Sequence, residues 1–264
     1  MGNGAGRIHP AASGRDLAVG HQDDRNLNNY RITDDDRLGA GGPKQKFLQN
    51  VRAIQLLRKL EAEAQPATPD EKAVLVKYVG WGAMPQVFDD RNREWAKERN
   101  ALRKELTDGK YEQVRSTTLN AHYTSPAIIR AMYQAAQRFG FQDGQVLEPA
   151  CGIGHFIGLM PDEMLHRSTV TGVEIDPLTA RIAKALYPDA DIREQPFEKS
   201  KFADESFDLA ISNVPFGDYT VHDPRWNKHK FPIHDYFFPA VLDKVRPGGL
   251  LMFITSHHTM DKLD

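Results

Sequence analysis

The 264-residue sequence contains a single cysteine, Cys151, which excludes a disulfide framework and any zinc cluster built on cysteines. So sparing a use of cysteine fits a reducing cytoplasm. No apolar run approaches the ~20 residues that a membrane span requires, and the N-terminus lacks the apolar stretch of a secretory signal. An excess of one charge is also missing. The 34 Lys and Arg against 36 Asp and Glu leave a formal net charge of -2, so no global positive field points to nucleic acid. A surface for such a partner must be a local patch or lie outside this chain. His122, His155, His234, His257 and His258 show no metal-ligand spacing. What remains is an ordinary balance of 40% hydrophobic and 27% charged residues, enough for a normal core.

Residues up to about 28 carry few apolar side chains, and Gly39-Ala40-Gly41-Gly42-Pro43 reads as a break. Residues 1–43 are therefore expected to be a disordered or flexible lead-in. Phe47, Val51, Ile54, Leu57 and Leu60 recur at helical spacing from Lys44 to about Ala64. Thr68-Pro69-Asp70-Glu71 forms a capping box opening a helix expected to reach Val79. A charged helix over Asn92–Leu106 and a shorter one over Tyr111–Thr118 complete a helical N-terminal region, 44–118. In 119–264 the pattern changes. Strands are expected at Gln145–Glu148, Thr169–Ile175, Asp191–Glu194, Phe207–Ser212 and Leu250–Thr255, separated by helical stretches. Strand alternating with helix implies an α/β fold, a parallel sheet with helices on both faces. Ligands then sit at the carboxyl ends of the strands.

The first strand runs into Glu148-Pro149-Ala150-Cys151-Gly152-Ile153-Gly154, where Gly152 and Gly154 let backbone approach a ligand closely. The third glycine of a dinucleotide fingerprint is displaced, with Ile157 in its place and Gly158 one position late. Glu148 before the turn would repel a pyrophosphate but suits the ammonium of a methionine moiety. About twenty residues further on, Glu174 stands near the end of the second strand, placed to accept hydrogen bonds from ribose hydroxyls. Ile175 is placed to cover one face of an adenine.

These motifs, in this order, resemble the gamma-type amino DNA methyltransferases, class I enzymes dependent on S-adenosylmethionine. The resemblance covers about residues 120–256 and implies a Rossmann-like methyltransferase sheet. His122-Tyr123-Thr124-Ser125-Pro126 resembles the family's N-terminal cofactor motif, which implies that Tyr123 and Thr124 hold the methionine end. The run from Glu148 to Phe156 matches the first-strand motif, implying cofactor contacts from Glu148, Pro149, Ala150, Gly152, Gly154 and Phe156. Glu174 matches the ribose acid. At the third strand, Gln195 or Phe197 is implied to contact the adenine. Asn213-Val214-Pro215-Phe216 matches the catalytic Asp/Asn/Ser-Pro-Pro-aromatic pattern, with Val214 a departure. The Asn213 oxygen and the Val214 carbonyl would accept both hydrogens of an exocyclic amino group, and Phe216 would stack on a base flipped out of its helix. Asn at the first position favours adenine N6 over cytosine N4. Cytosine C5 chemistry needs a cysteine nucleophile in a Pro-Cys pair here, and none is present. The transfer needs no metal.

Arg225, Trp226, Lys228 and Lys230 follow the catalytic loop as a candidate contact to a DNA strand, or as solvated surface. More narrowly, Tyr78-Val79-Gly80-Trp81-Gly82, Asn213-Val214-Pro215-Phe216-Gly217 and His234-Asp235-Tyr236-Phe237-Phe238 resemble the methylase portion of large methylase–helicase proteins of phages and plasmids, some linked to antirestriction. That resemblance implies DNA as partner, a mobile-element context and further C-terminal domains for target recognition and helicase activity, with the last strands of the sheet lying beyond Asp264. Rival readings are a methyltransferase for RNA or a protein glutamine amide, and a methylase-like binding fragment without activity.

Overall fold

The computed structural model describes residues 28–106, 108–117, 123–217, 219–255 and 259. Helix α1 (Pro43–Glu63) starts on its proline and buries Phe47, Ala53, Ile54, Leu57 and Leu60 along one face. Helix α2 (Pro69–Leu75) opens on the expected capping box. Thr68 Oγ1 accepts from the Glu71 N–H at 3.3 Å, and the Thr68 N–H donates to Glu71 Oε2 at 3.0 Å. It stops short of Val79 because Asn50 on α1 captures the following backbone: the Val79 N–H donates to Asn50 Oδ1 at 2.9 Å, and Asn50 Nδ2 donates to the Gly80 carbonyl. The charged stretch opens as a 3₁₀ turn at Arg93–Trp95, capped by Asn92, and continues into α3 (Ala96–Glu105) and α4 (Asp108–Thr117).

The lead-in expectation needs correction from residue 28 onward, its first 27 residues lying outside those described. The Tyr30 N–H donates to the Leu186 carbonyl at 2.9 Å and the Ile32 N–H to the Gly158 carbonyl at 3.0 Å. Ile32 is buried and occupies the space beside Gly158, where a Cβ would approach it to 2.6 Å. Arg31 pairs with Asp162 at 2.8 Å. A few well-placed contacts thus strap a polar segment onto the domain.

After α5 (Pro126–Arg138), the strands β1 (Gln145–Glu148), β2 (Thr169–Glu174), β3 (Asp191–Glu194), β4 (Phe207–Asn213) and β5 (Val245–Ile254) form a sheet in the order β3-β2-β1-β4-β5, every pair parallel. Helices α6 (His155–Leu159), α7 (Asp162–Arg167), α8 (Pro177–Leu186) and α9 (Ile233–Leu242) complete the described chain. Strand alternation separates two cores. Val146, Val170, Leu209 and Ile211 pack with α5, α8 and the N-terminal helices, while Leu147, Val173 and Ala210 pack with Tyr236, Phe237 and Val241 of α9. The N-terminal region therefore shares the core of one sheet face.

Helix α9 ends at Leu242, and Pro247-Gly248-Gly249 is not the helix stop its composition suggests. It lies within β5, where the register jumps from Phe207↔Val245 to Leu209↔Leu250. Gly248 has φ +79°, and a Cβ on Gly249 would meet the Asp208 carbonyl at 2.9 Å. Proline and glycine here serve a bulge, which local composition does not distinguish from a turn.

Candidate active site

The order in which strands are added reverses between β1 and β4, the switch point of this parallel sheet, and a crevice at the carboxyl ends of the strands is expected there. A cavity of about 430 Å³ occupies that place. Tyr123, Thr124, Glu148, Pro149, Ala150, Gly152, Phe156, Glu174, Ile175, Gln195 and Phe197 line it, as do Asn213, Val214, Pro215 and Phe216. Ends of four strands thus bring together residues far apart in sequence.

The glycine turn is closed by the Cys151 N–H on the Val173 carbonyl at 2.9 Å and the Gly154 N–H on the Cys151 carbonyl at 2.8 Å. Gly152 has φ +55° and supplies its N–H to Glu174 Oε2 at 2.9 Å, while the Asp176 N–H donates to Oε1 at 2.7 Å. Glu174 is thereby anchored by backbone. Burial raises its carboxyl to about 7 against the lowering effect of these two N–H groups. Glu148 is 2% exposed, and its Oε2 has no hydrogen-bond partner among the described residues. Burial, then the nearby charge of Glu174, pushes the Glu148 carboxyl well above the ordinary range. A cationic ligand group beside it would relieve both effects. Burial likewise raises the Cys151 thiol, which makes it an inert packing group.

Gly154 is the exception among the expected contacts. Its φ is +84°, and a Cβ would stand 2.5 Å from the ring of fully buried Tyr187. Protein packing by itself requires glycine there, and Gly154 is not among the residues lining the cavity. Gly154→Ala should destabilise the fold by about 2–4 kcal/mol, combining overpacking with left-handed backbone strain, and thermal denaturation will show it.

On the other side, Ser212 Oγ donates to the Ala150 carbonyl at 3.3 Å, tying the end of β4 to the glycine turn. The Val214 N–H donates to the Ile254 carbonyl at 3.2 Å, and the side chain is buried in the second core. Proline, the commoner family residue, would lose that bond. Gln195 Nε2 donates to Ser200 Oγ at 2.9 Å, and Phe197 lies 5.5 Å from Phe237, ring centre to ring centre.

The segment that follows Asn213-Val214-Pro215-Phe216 is well knit. Asn227 Nδ2 donates to the Val221 carbonyl at 2.8 Å, and Asp223 Oδ2 accepts from the Tyr236 hydroxyl at 2.8 Å. Arg225 pairs with Asp204 at 2.6 Å and Asp243 at 2.8 Å and covers the Trp226 ring at 4.5 Å. Two carboxylates satisfy this guanidinium, and Trp226 packs against the second core, so neither fits the expected strand contact. Lys228 and Lys230 remain exposed.

Tyr78, Trp81, His155, Thr179, Tyr219 and His222 also line the cavity and were not anticipated. In the sequence, Tyr78 and Trp81 stand in the run Tyr78–Gly82 that carries a resemblance, and His155 stands in the glycine-turn motif, without a site role. Burial lowers His155 to about 4, so it is neutral near pH 7.

The parallel sheet in this order, with a glycine turn after β1, an acid ending β2 and Asn-x-Pro-aromatic after β4, defines a Rossmann-like methyltransferase fold. The family described as "Methyltransferase domain" matches residues 147–225. Defense against restriction protein B of Escherichia phage P1 is 29% identical over 209 residues, covering 78% of this chain and 8% of the phage protein. The Type II methyltransferase M.TthHB8I of Thermus thermophilus is 28% identical over 152 residues, 50% of this chain and 33% of that protein. Among solved structures, the type I restriction-modification system methyltransferase subunit of Streptococcus thermophilus superposes with a TM-score of 0.48 at 13% identity, covering 89% of this chain and 58% of that one. The chain thus spans a small part of the first two proteins. Among the described residues, no helix is long and apolar enough to cross a membrane.

Proposed function

We propose that the chain binds S-adenosylmethionine in this cavity and directs methyl transfer to an exocyclic amino group of a DNA base, adenine N6. The observation that carries this reading is one cavity joining Glu148 and Glu174, at the ends of β1 and β2, to Asn213 at the end of β4. The donor set fits the cofactor. Partnerless Glu148 Oε2 suits its ammonium, backbone-anchored Glu174 suits two ribose hydroxyls, and exposed Ile175 suits the adenine face. Bound there, S-adenosylmethionine would supply a sulfonium methyl group to the amino nitrogen and depart as its thioether, with the surplus amino proton passing to solvent.

An exocyclic amino nitrogen is a weak nucleophile because its lone pair is delocalised into the ring. Asn213 Oδ1 and the Val214 carbonyl accept its hydrogens, turning that lone pair toward the methyl group. Phe216 holds the extruded base by stacking. The site contributes orientation and fixed dipoles, without a covalent intermediate. The restriction and methyltransferase names of the relatives support DNA as substrate, and the small share of them that this chain spans supports a protein with domains besides the helical region 44–118 and the core 119–264. Offering labelled cofactor with duplex DNA, RNA and protein acceptors tests the substrate class. Transfer to DNA is expected, and transfer only to RNA or a glutamine amide would overturn it.

Of the four residues expected to contact a strand, Lys228 and Lys230 are the two exposed cations not held by the carboxylates that take Arg225. Replacing both by alanine should weaken DNA binding equally for every sequence. It should also reduce the slope of log affinity against log salt by roughly 0.9 per lost contact on duplex, or about 0.7 on single strands. An unchanged slope makes them solvated surface.

A further inference from the structure

Trp81 lies in the N-terminal helical region, outside the Rossmann-like core, yet it lines the cavity with Tyr78 and Gly80. The residue is 1% exposed, and Nε1, beside the Tyr78 hydroxyl, makes no hydrogen bond of full geometry among the described residues. Buried donors are normally satisfied, so an orphan beside a cavity marks a place where an acceptor arrives. Two more buried atoms on this cavity share that condition: Thr124 Oγ1, able to donate, and Glu148 Oε2, able to accept. Two donors and one carboxylate are the complement of a zwitterionic amino-acid group.

The indole is also held still. Asn50 clamps the backbone on either side of the Val79–Gly80 peptide, and the Met84 N–H donates to the Trp81 carbonyl at 2.9 Å. Phe47 and Phe88 meet the ring edge-on at 5.9 and 5.7 Å. A donor fixed in this way is ready before the ligand arrives.

We infer that the Trp81 indole N–H joins Thr124, which the resemblance already implies at the methionine end, in binding the carboxylate of the cofactor's amino-acid end, so that the N-terminal region forms part of the cofactor site. This rests on S-adenosylmethionine being the ligand. Trp81→Phe keeps a ring and removes the donor. The whole chain and this variant are titrated calorimetrically with S-adenosylhomocysteine and with 5′-methylthioadenosine, a thioether nucleoside without the amino-acid end. The variant should lose about tenfold or more in affinity for the first, the scale of a hydrogen bond to a charged group, and nothing for the second. Equal losses for both ligands, or no loss for either, overturn the inference. A parent chain that binds neither ligand instead overturns the cofactor reading.

Should the variant bind neither ligand because it fails to fold, the parent chain still decides the matter. With Trp95 and Trp226 replaced by phenylalanine, Trp81 is the single indole of the three in the sequence. Its emission should respond more to S-adenosylhomocysteine than to 5′-methylthioadenosine, and an equal response contradicts the assignment.

Discussion

Replacing Asn213 by alanine lowers turnover about 100-fold or more, the scale of removing one preorganised polar group from a transition state, and leaves cofactor affinity unchanged. The separation follows from the topology. Asn213 ends β4, whereas the groups assigned to the cofactor's charged and ribose portions stand at the ends of β1 and β2. The neighbouring Val214 N–H and Ser212 hydroxyl anchor this strand end through Ile254 and Ala150, independently of the Asn213 side chain. The variant should therefore fold normally. Single-turnover methyl transfer, with calorimetry of S-adenosylhomocysteine alongside, reads both quantities. Turnover equal to that of the parent removes Asn213 from the chemistry, while a parallel loss of cofactor affinity moves it to the binding site.

Glu174→Ala should weaken cofactor binding by about 1.5–3 kcal/mol, as expected for losing charge-assisted hydrogen bonds. Its titration gives a second signature. In the unliganded chain burial raises this carboxyl to about 7, so it is partly protonated near neutral pH. Ribose hydroxyls donate to the ionised form. Cofactor affinity is therefore greatest above pH 7 and falls as pH drops below it, and Glu174→Gln should lose that dependence. Stability of the unliganded chain moves the opposite way. Because the folded state retains the proton to higher pH than the unfolded chain, rising pH between the ordinary glutamate range and about 7 costs stability. Glu148, raised by the same cause, adds to the trend. A flat affinity profile through pH 7 in the parent would contradict the assigned role of Glu174.

The parts of this fold legible in the sequence are those encoded locally. Gln145–Glu148 and Asp191–Glu194 stand as strands at the expected bounds, and the capping box at Thr68 opens its helix as expected. The glycine turn and the acid ending β2 were readable because a short motif carries them. What escaped depends on distant partners. Asn50 ends α2 early by capturing backbone some thirty residues away, a bond that no periodicity announces. Asp204 and Asp243 neutralise Arg225 from two other segments, whereas in sequence it stands in a basic cluster. Gly154 reads as a ligand glycine until Tyr187 is seen against it. Trp81 stands out in the sequence only within the run Tyr78–Gly82, and in the fold it is buried core. Its place on the cavity emerges only when the N-terminal helices pack onto the sheet face that ends in Glu148 and Glu174.

The most direct measurement is the identity of the methylated nucleoside. DNA treated with the protein and methyl-labelled S-adenosylmethionine is digested to nucleosides and separated. The account predicts label in N6-methyl-2′-deoxyadenosine, abolished by Asn213→Ala. Label in N4-methyl-2′-deoxycytidine would keep the amino chemistry and overturn the choice of base. Label in 5-methyl-2′-deoxycytidine, or none while the cofactor binds, would contradict the account.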